Sequence, residues 1–345
     1  MTPAAGAFID LLGARVHWVD FEVAPGWESG TPPESALGSA PGSESGTESE
    51  SAPGWAEEGV DSERSAQALC VLVHGLGGST VNWESLVPLL GPRLRCVAFD
   101  LVGFGMTDAG SRTASVGDNT DLLAAFVERI RATHPDLPLL LIGNSMGGLL
   151  SARYAAREVS DVAGVVLLDP TVPPAGLLPG PGGVLAAGLY AVPPVGQAAA
   201  RARRSLRSPA QNVGDTLRLC TVDPSRVDPA VVERHLPVAQ RRVSHPEMDR
   251  HYSDAARSIL TQLARRRHTD AMFASIRAPV LLIHGTRDRL VPFSGSVRMA
   301  RLNPRWRFAP AADSGHLPML EHPQWTSDQI AAWWDSGDVM DWRSD

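Results

Sequence analysis

Leu139-Leu140-Leu141-Ile142-Gly143-Asn144-Ser145-Met146-Gly147-Gly148 is the stretch on which the reading of this chain turns. Its apolar run predicts a buried strand, and the glycines that follow end the strand and open a helix. A sharp strand-to-helix turn strains the backbone at its apex and needs small neighbours two before and two after, so that the chain ends do not collide. Gly143, Gly147 and Gly148 supply that room and leave Ser145 at the apex. The helix beyond directs its N-terminal amides and partial positive charge at the same point, which favours an oxyanion there. A G-x-S-x-G string alone is weak in a chain with 32 glycines. Its strand-turn-helix context gives it weight.

A serine hydroxyl is a poor nucleophile until a base takes its proton, so a histidine and a group that orients it are needed. Downstream, the apolar run Pro279-Val-Leu-Leu-Ile-His284 leads into Gly285-Thr-Arg-Asp288-Arg-Leu-Val-Pro292, which places a carboxylate on the loop after a strand. Asp288 is the expected orienting acid. A third short strand, Trp306-Arg-Phe-Ala309, precedes Asp313-Ser-Gly-His316-Leu-Pro, where His316 is the expected base on a loop before the last helix. The chain order Ser, Asp, His, with a strand before each, is that of the α/β-hydrolase fold.

On these residues the chain resembles a cap-bearing serine α/β-hydrolase over residues 8–20 and 67–335. Strand Leu69-Cys-Val-Leu-Val-His74 and the run Gly75-Leu76-Gly77-Gly78-Ser79 are similar to the family's His-Gly-X oxyanion loop. The resemblance implies that the backbone amides of Leu76 and Met146 bind the developing negative oxygen, each worth roughly 3 kcal/mol in the transition state. It also implies an α/β architecture, a mostly parallel twisted sheet with helices on both faces and a helical cap. The expected divisions are N-terminal strands in 1–21, an insertion in 22–66, core in 67–169, cap in 170–275 and core again in 276–345.

Several residues compete for these roles. Asp169, after the apolar run Val165-Val-Leu-Leu168, is the rival acid, because some relatives carry the acid after that strand. Asp100, opening Asp100-Leu-Val-Gly-Phe-Gly105, reads as a turn-stabilising carboxylate. His74 and His284 end strands and read as structural polar groups near the site. His322 belongs to the start of the last helix, and Trp83 shares a helical face with Leu86, Leu89 and Leu90 and reads as core.

Composition excludes whole classes of chemistry. All 31 basic residues are arginine, which rules out a P-loop lysine, a Schiff-base lysine and a Ser-Lys dyad. The Gly75 loop lacks the third glycine of a dinucleotide frame. Neither His-Glu-x-x-His nor Cys-x-x-Cys occurs, so no metal or cofactor is expected. The three cysteines, Cys70, Cys96 and Cys220, are odd in number. Two fall in predicted strands, which points to reduced thiols and a cytoplasmic protein. The N-terminus enters directly into the hairpin-like Phe8–Trp18 pattern, with no signal peptide expected. A small-molecule substrate is the expected partner, with no nucleic acid; oligomeric state is left open.

Between Asp169 and Pro279 the chain is far longer than the ~30 residues of a strand-helix-strand crossover, and this is the expected cap. Residues 170–200 carry no charge, but seven prolines and six glycines argue against a membrane span. The stretch reads as the near side of a lid, with Val184–Tyr190 a short apolar helix. Residues 201–270 show helical patterns at Val231–Leu236 and Ala255–Leu263 and hold 14 arginines against 8 carboxylates. Those arginines read as solvated helix faces, with a basic rim that steers anionic substrates as the alternative. Residues 22–66, with 9 Glu and 1 Asp against one Arg, cannot bury enough apolar surface and are expected to be disordered.

The expected reaction is hydrolysis of a small to medium apolar carboxylic ester through an acyl-enzyme. Two other readings stand beside it. Gly143–Gly148 and Val222–Val227 also resemble the carbon-carbon bond hydrolases of aromatic ring cleavage, although those carry Trp where this chain has Leu317 and a Gly-Pro-Gly type oxyanion loop absent here. A ligand-binding protein with an idle site is the reading of a different class.

Overall fold

A computed structural model of the chain describes residues 6–21, 66–157, 162–175 and 206–336. The acidic segment expected to be disordered, apart from its last residue, and the lid stretch beyond residue 175, with its Val184–Tyr190 helix, lie outside the described residues.

Eight strands form one sheet: β1 (Gly6–Leu11), β2 (Ala14–Phe21), β3 (Ala68–Val73), β4 (Leu94–Phe99), β5 (Leu139–Asn144), β6 (Val162–Leu168), β7 (Val280–Gly285) and β8 (Arg307–Ala311). Their spatial order is β1-β2-β4-β3-β5-β6-β7-β8. The pairs β1/β2 and β2/β4 are antiparallel and all others parallel. The β1–β2 turn has positive φ at both central residues, 52° at Leu12 and 81° at Gly13, the primed geometry that matches the twist of a hairpin.

The α-helices of the described residues, in chain order, are α1 (Val87–Leu90), α2 (Val116–Arg131), α3 (Met146–Ala155), α4 (Pro209–Cys220), α5 (Pro229–Ser244), α6 (Met248–Ala264), α7 (Arg266–Ala274), α8 (Phe293–Leu302), α9 (Pro318–Glu321) and α10 (Pro323–Trp334). Alternate residues of each central strand feed two separate cores. Leu69, Val71 and Val73 join Leu141, Val165 and Leu282 in a core completed by Phe126 of α2, Leu149 of α3 and Phe273 of α7. Cys70, Leu72, Ile142, Val166 and Ile283 face the other way, onto Trp83, Leu86, Ile330 and Trp333. Burial on both faces is why these strands read as unbroken apolar runs instead of alternating. Each Val, Leu or Ile so buried contributes about 1.5–3 kcal/mol.

Two sequence expectations shift in detail. The short strand expected at Trp306–Ala309 runs instead over Arg307–Ala311 and includes Pro310. It lies at the sheet edge, where a residue without an N–H can be accommodated. Trp83 is buried as expected, but it closes a 3-10 turn, Thr80–Trp83, and Leu89 and Leu90 are only half-buried.

The strand order reverses direction between β3 and β5. From β3 the chain passes to β4 on one side, whereas β5 leads to β6, β7 and β8 on the other. The crevice beyond the carboxyl ends of strands at such a reversal is where open α/β sheets bind ligands. Helices α4 to α7 are inserted between β6 and β7. Arg226, Arg234 and Arg241 of that insertion do not line a free solvated face. They pair with Asp313, Glu84 and Asp108 of the sheet-bearing core.

Candidate active site

Ser145 follows β5 and caps α3 with φ 55° and ψ −117°, a conformation in which a residue with a side chain is strained. Neighbouring elements hold it there. Its N–H donates to the Leu168 carbonyl at 2.9 Å, and its own carbonyl accepts from Leu149 N–H at 3.2 Å and Thr171 N–H at 3.0 Å. Close approach explains the glycines around it. A Cβ on Gly147 would stand 1.9 Å from the Val73 carbonyl oxygen, so α3 begins directly against the end of β3. A Cβ on Gly75 would stand 2.9 Å from the Ser145 Cβ, which places the loop after β3 beside the serine.

Leu76 follows Gly75 in that loop, and Met146 is the first residue of α3. Neither N–H donates to a backbone carbonyl in the turns, loops and caps of the described residues. The first amides of a helix have no acceptor within it. The loop carrying Leu76 is held from below by His74 and Asp100. The His74 Nδ1–H donates to the Gly75 carbonyl at 2.8 Å, and Nε2 accepts from Leu101 N–H at 3.0 Å. Burial pushes the His74 imidazole below its ordinary value, so it serves as a neutral strut. Asp100 accepts from Thr80 N–H at 2.7 Å and Met106 N–H at 2.8 Å and meets His17 Nδ1 at 2.8 Å. It thus joins two loops and β2, more than the single turn expected of it.

The acid and the imidazole meet. His316 Nδ1 lies 2.6 Å from Asp288 Oδ2. The carboxylate can only accept, so Nδ1 carries the proton and Nε2 is left as the proton-exchanging atom. Asp288 is held in turn by Leu290 N–H at 2.7 Å and Val291 N–H at 3.0 Å on its other oxygen. Burial alone would raise the Asp288 carboxyl. The His316 charge and the hydrogen bonds from His284 and His316 outweigh it and hold the group well below the usual carboxylate range. Asp169, the rival acid, does not touch His316 among the described residues; its Oδ1 accepts Gly285 N–H at 2.8 Å.

The histidine loop is tied to the serine turn by a residue that sequence reasoning passed over. Asn144 Nδ2 donates to both the Leu168 and the His316 carbonyls at 3.1 Å. Asn144 occupies the first of the two open positions of G-x-S-x-G, and nothing in the string marks it. Among the described residues no hydrogen bond joins the Ser145 hydroxyl to the His316 ring. Tyr252 of α6 packs on the loop after β3, its ring 3.2 Å from where a Gly77 Cβ would be and 6.4 Å between centroids from Phe104.

A family model described as alpha/beta hydrolase fold matches residues 69–323. A pimeloyl-(acyl-carrier protein) methyl ester esterase of Aromatoleum aromaticum is 29% identical over 267 residues, 74% of this chain and 93% of that protein. The Homo sapiens monoacylglycerol lipase ABHD6 is 25% identical over 261 residues, covering 75% of this chain and 73% of its own. Among solved structures, wild-type Cfl2 from Burkholderia cenocepacia shares the fold with a TM-score of 0.67 at 20% identity over 94% of each chain. With the family's pattern running from β3 through the histidine loop to the start of the last helix, this chain belongs to the alpha/beta hydrolase fold family.

Proposed function

We propose that the protein is a serine hydrolase that cleaves a small to medium apolar carboxylic ester through an acyl-enzyme. Ser145 is the nucleophile, His316 the base, Asp288 its orienting acid, and the Leu76 and Met146 amides the oxyanion donors. The observation that carries this reading is the 2.6 Å Asp288–His316 hydrogen bond beside a serine strained at a strand-to-helix apex. The two curated relatives, whose names describe an ester esterase and an acylglycerol lipase, support ester over carbon-carbon cleavage. Helices α4 to α7 act as the cap that walls the acyl pocket.

Binding of substrate brings the Ser145 hydroxyl within hydrogen-bond reach of His316 Nε2, as such contacts often tighten only in the complex. Nε2 takes the hydroxyl proton while Oγ bonds to the carbonyl carbon, and the two amides receive the negative oxygen. Collapse breaks the carbon–oxygen bond to the leaving alcohol, which takes the proton from Nε2. Water then adds to the acyl-enzyme with His316 again as base, and the acid and free Ser145 are released. Reaction with a fluorophosphonate is the direct test: the wild-type chain should be labelled and Ser145→Ala should not. Equal labelling of both sinks the assignment. A panel of acyl p-nitrophenyl esters run beside a vinylogous diketone then separates ester from carbon-carbon hydrolysis.

A further inference from the structure

Behind the Asp288–His316 pair stands a second, fully buried acid and imidazole that the reaction described above does not use. His284, at the end of β7, and Asp169, just past β6, have no solvent exposure. His284 Nε2 faces three oxygens: the Val291 carbonyl at 3.0 Å, Asp288 Oδ2 at 3.3 Å and Asp169 Oδ1 at 3.6 Å. A carbonyl and an ionised carboxylate can only accept, so Nε2 must carry the proton. Asp169, His284 and Asp288 are grouped closely enough to suggest a cation site. A protonated Nε2 has no lone pair to give a metal, and the geometry is that of a donor serving acceptors.

The Asp288 Oδ2 atom therefore meets two imidazoles: it accepts from His316 Nδ1 at 2.6 Å and stands 3.3 Å from His284 Nε2, which also lies 3.0 Å from the Val291 carbonyl. Its other oxygen takes two backbone amides. His284 is held on its far edge by Ser296 of α8, whose Oγ is 2.7 Å from Nδ1, and its ring packs edge-on to Phe293 at 5.9 Å. The 288–291 loop restrains one edge of the ring, and α8 restrains its far edge and packs against it, so the ring has one orientation.

We propose that His284 is a positioning residue of the reaction: its Nε2–H fixes the Asp288 carboxylate and draws charge from it, so setting how basic His316 is. Asp169 is the buried carboxyl on the third side of this donor, anchored by Gly285 N–H. This rests on the assignment of Asp288 and His316 as acid and base. Burial lowers the affinity of the His284 ring for a proton, but the Asp169 and Asp288 charges and the Asp288 hydrogen bond outweigh it and raise the group above its ordinary value. Burial and the Asp288 charge raise the Asp169 carboxyl, against the pull of His284 and Gly285. Among the described residues the Cys220 thiol also faces Asp288, pushed up to about 12 by burial and the Asp288 charge and thus neutral. The low-lying Asp288 carboxyl and raised His284 ring are the arrangement in which an imidazole proton is lent to a carboxylate.

Two neutral substitutions separate the donor from the space it fills. In His284→Gln the amide nitrogen reaches about as far as Nε2 and can donate to Asp288. In His284→Asn it reaches only as far as Nδ1 and cannot. The rate of fluorophosphonate labelling, followed against pH, has an acid limb set by His316. His284→Asn should move that limb upward by roughly one pH unit, the effect of losing one hydrogen bond to a charged group, and His284→Gln should restore it. An unmoved limb in His284→Asn, or an equal shift in both variants, overturns the proposal. Nitrogen-15 edited spectra of the wild-type histidine rings give a second reading that needs no variant to fold and no turnover. The His284 proton should sit on Nε2, and a proton on Nδ1 with Nε2 bare overturns the proposal outright. A wild-type chain that is never labelled defeats the esterase reading instead, while the ring spectra still report on His284.

Discussion

Gly147 shows at the scale of one residue why the turn that carries Ser145 tolerates so little change. The nearest atom to an added Cβ is a backbone carbonyl of β3, Val73 O at 1.9 Å, and a central strand paired on both sides cannot retreat. Gly147→Ala should therefore cost about 3 kcal/mol, the upper end of overpacking penalties, seen as a lower urea midpoint at unchanged slope. A wild-type midpoint would mean that α3 shifts freely along β3. The same contact shows what was legible at this scale. The need for small residues around Ser145 follows from the string alone, whereas the identity of the blocking atom belongs to a strand more than seventy positions earlier. Asn144 is the opposite case, since its two bonds reach carbonyls at 168 and 316 and no local pattern points to either.

Among the elements, the short helix α9 joins the insertion to the histidine loop. Its last residue, Glu321, is 3% exposed. Oε1 accepts Val222 N–H at 2.8 Å and Asp223 N–H at 2.9 Å, and Oε2 accepts Gly315 N–H at 2.8 Å. The end of α4 adds a further tie, since the Cys220 carbonyl accepts His316 N–H at 2.6 Å. One buried carboxylate thus serves amides from both sides, and Arg226 supplies a nearby cation at 3.5 Å. Glu321→Ala leaves three amides without their acceptor and should cost about 3 kcal/mol or more, at 1–3 kcal/mol for each unpaired buried donor. Urea unfolding measures this, and ester turnover should fall with it because His316 loses its mount. Unaltered stability would show that water replaces the carboxylate. The arginine-rich helices gave a weaker signal. Their charge excess was plain, but the pairing of Arg234 with Glu84 and Arg241 with Asp108 needed the folded chain to reveal it.

Across the whole molecule, strand pairing sets how long a connection from β2 to β3 has to be. Phe21 of β2 and Cys70 of β3 both pair with Cys96 of β4, on its two sides. They lie two strand spacings apart, roughly 10 Å, a gap that a handful of residues at about 3.4 Å each can span. Residues 22–65 are therefore many more than the connection requires. Replacing them with a linker of about eight Gly and Ser residues should leave the melting temperature and ester turnover at their wild-type values. A fall in either would mean that the segment packs on the sheet or the insertion.

By itself the sequence determined the family and architecture: unbroken apolar runs meant strands buried on both faces, and the order of Ser145, Asp288 and His316 with a strand before each meant an open α/β sheet. These signals are local, set by periodicity and by the steric demands of a single turn. Only the tertiary structure decided which of two carboxylates stands against His316. Asp169 and Asp288 both follow apolar strands, and the choice depends on where the histidine loop comes to rest across β7. The same holds for His284, which reads from the sequence as one more polar residue at a strand end. Its importance lies in the meeting of oxygens from the loop that follows it with Asp169 at the end of the neighbouring strand, a convergence that chain packing creates and no local pattern encodes.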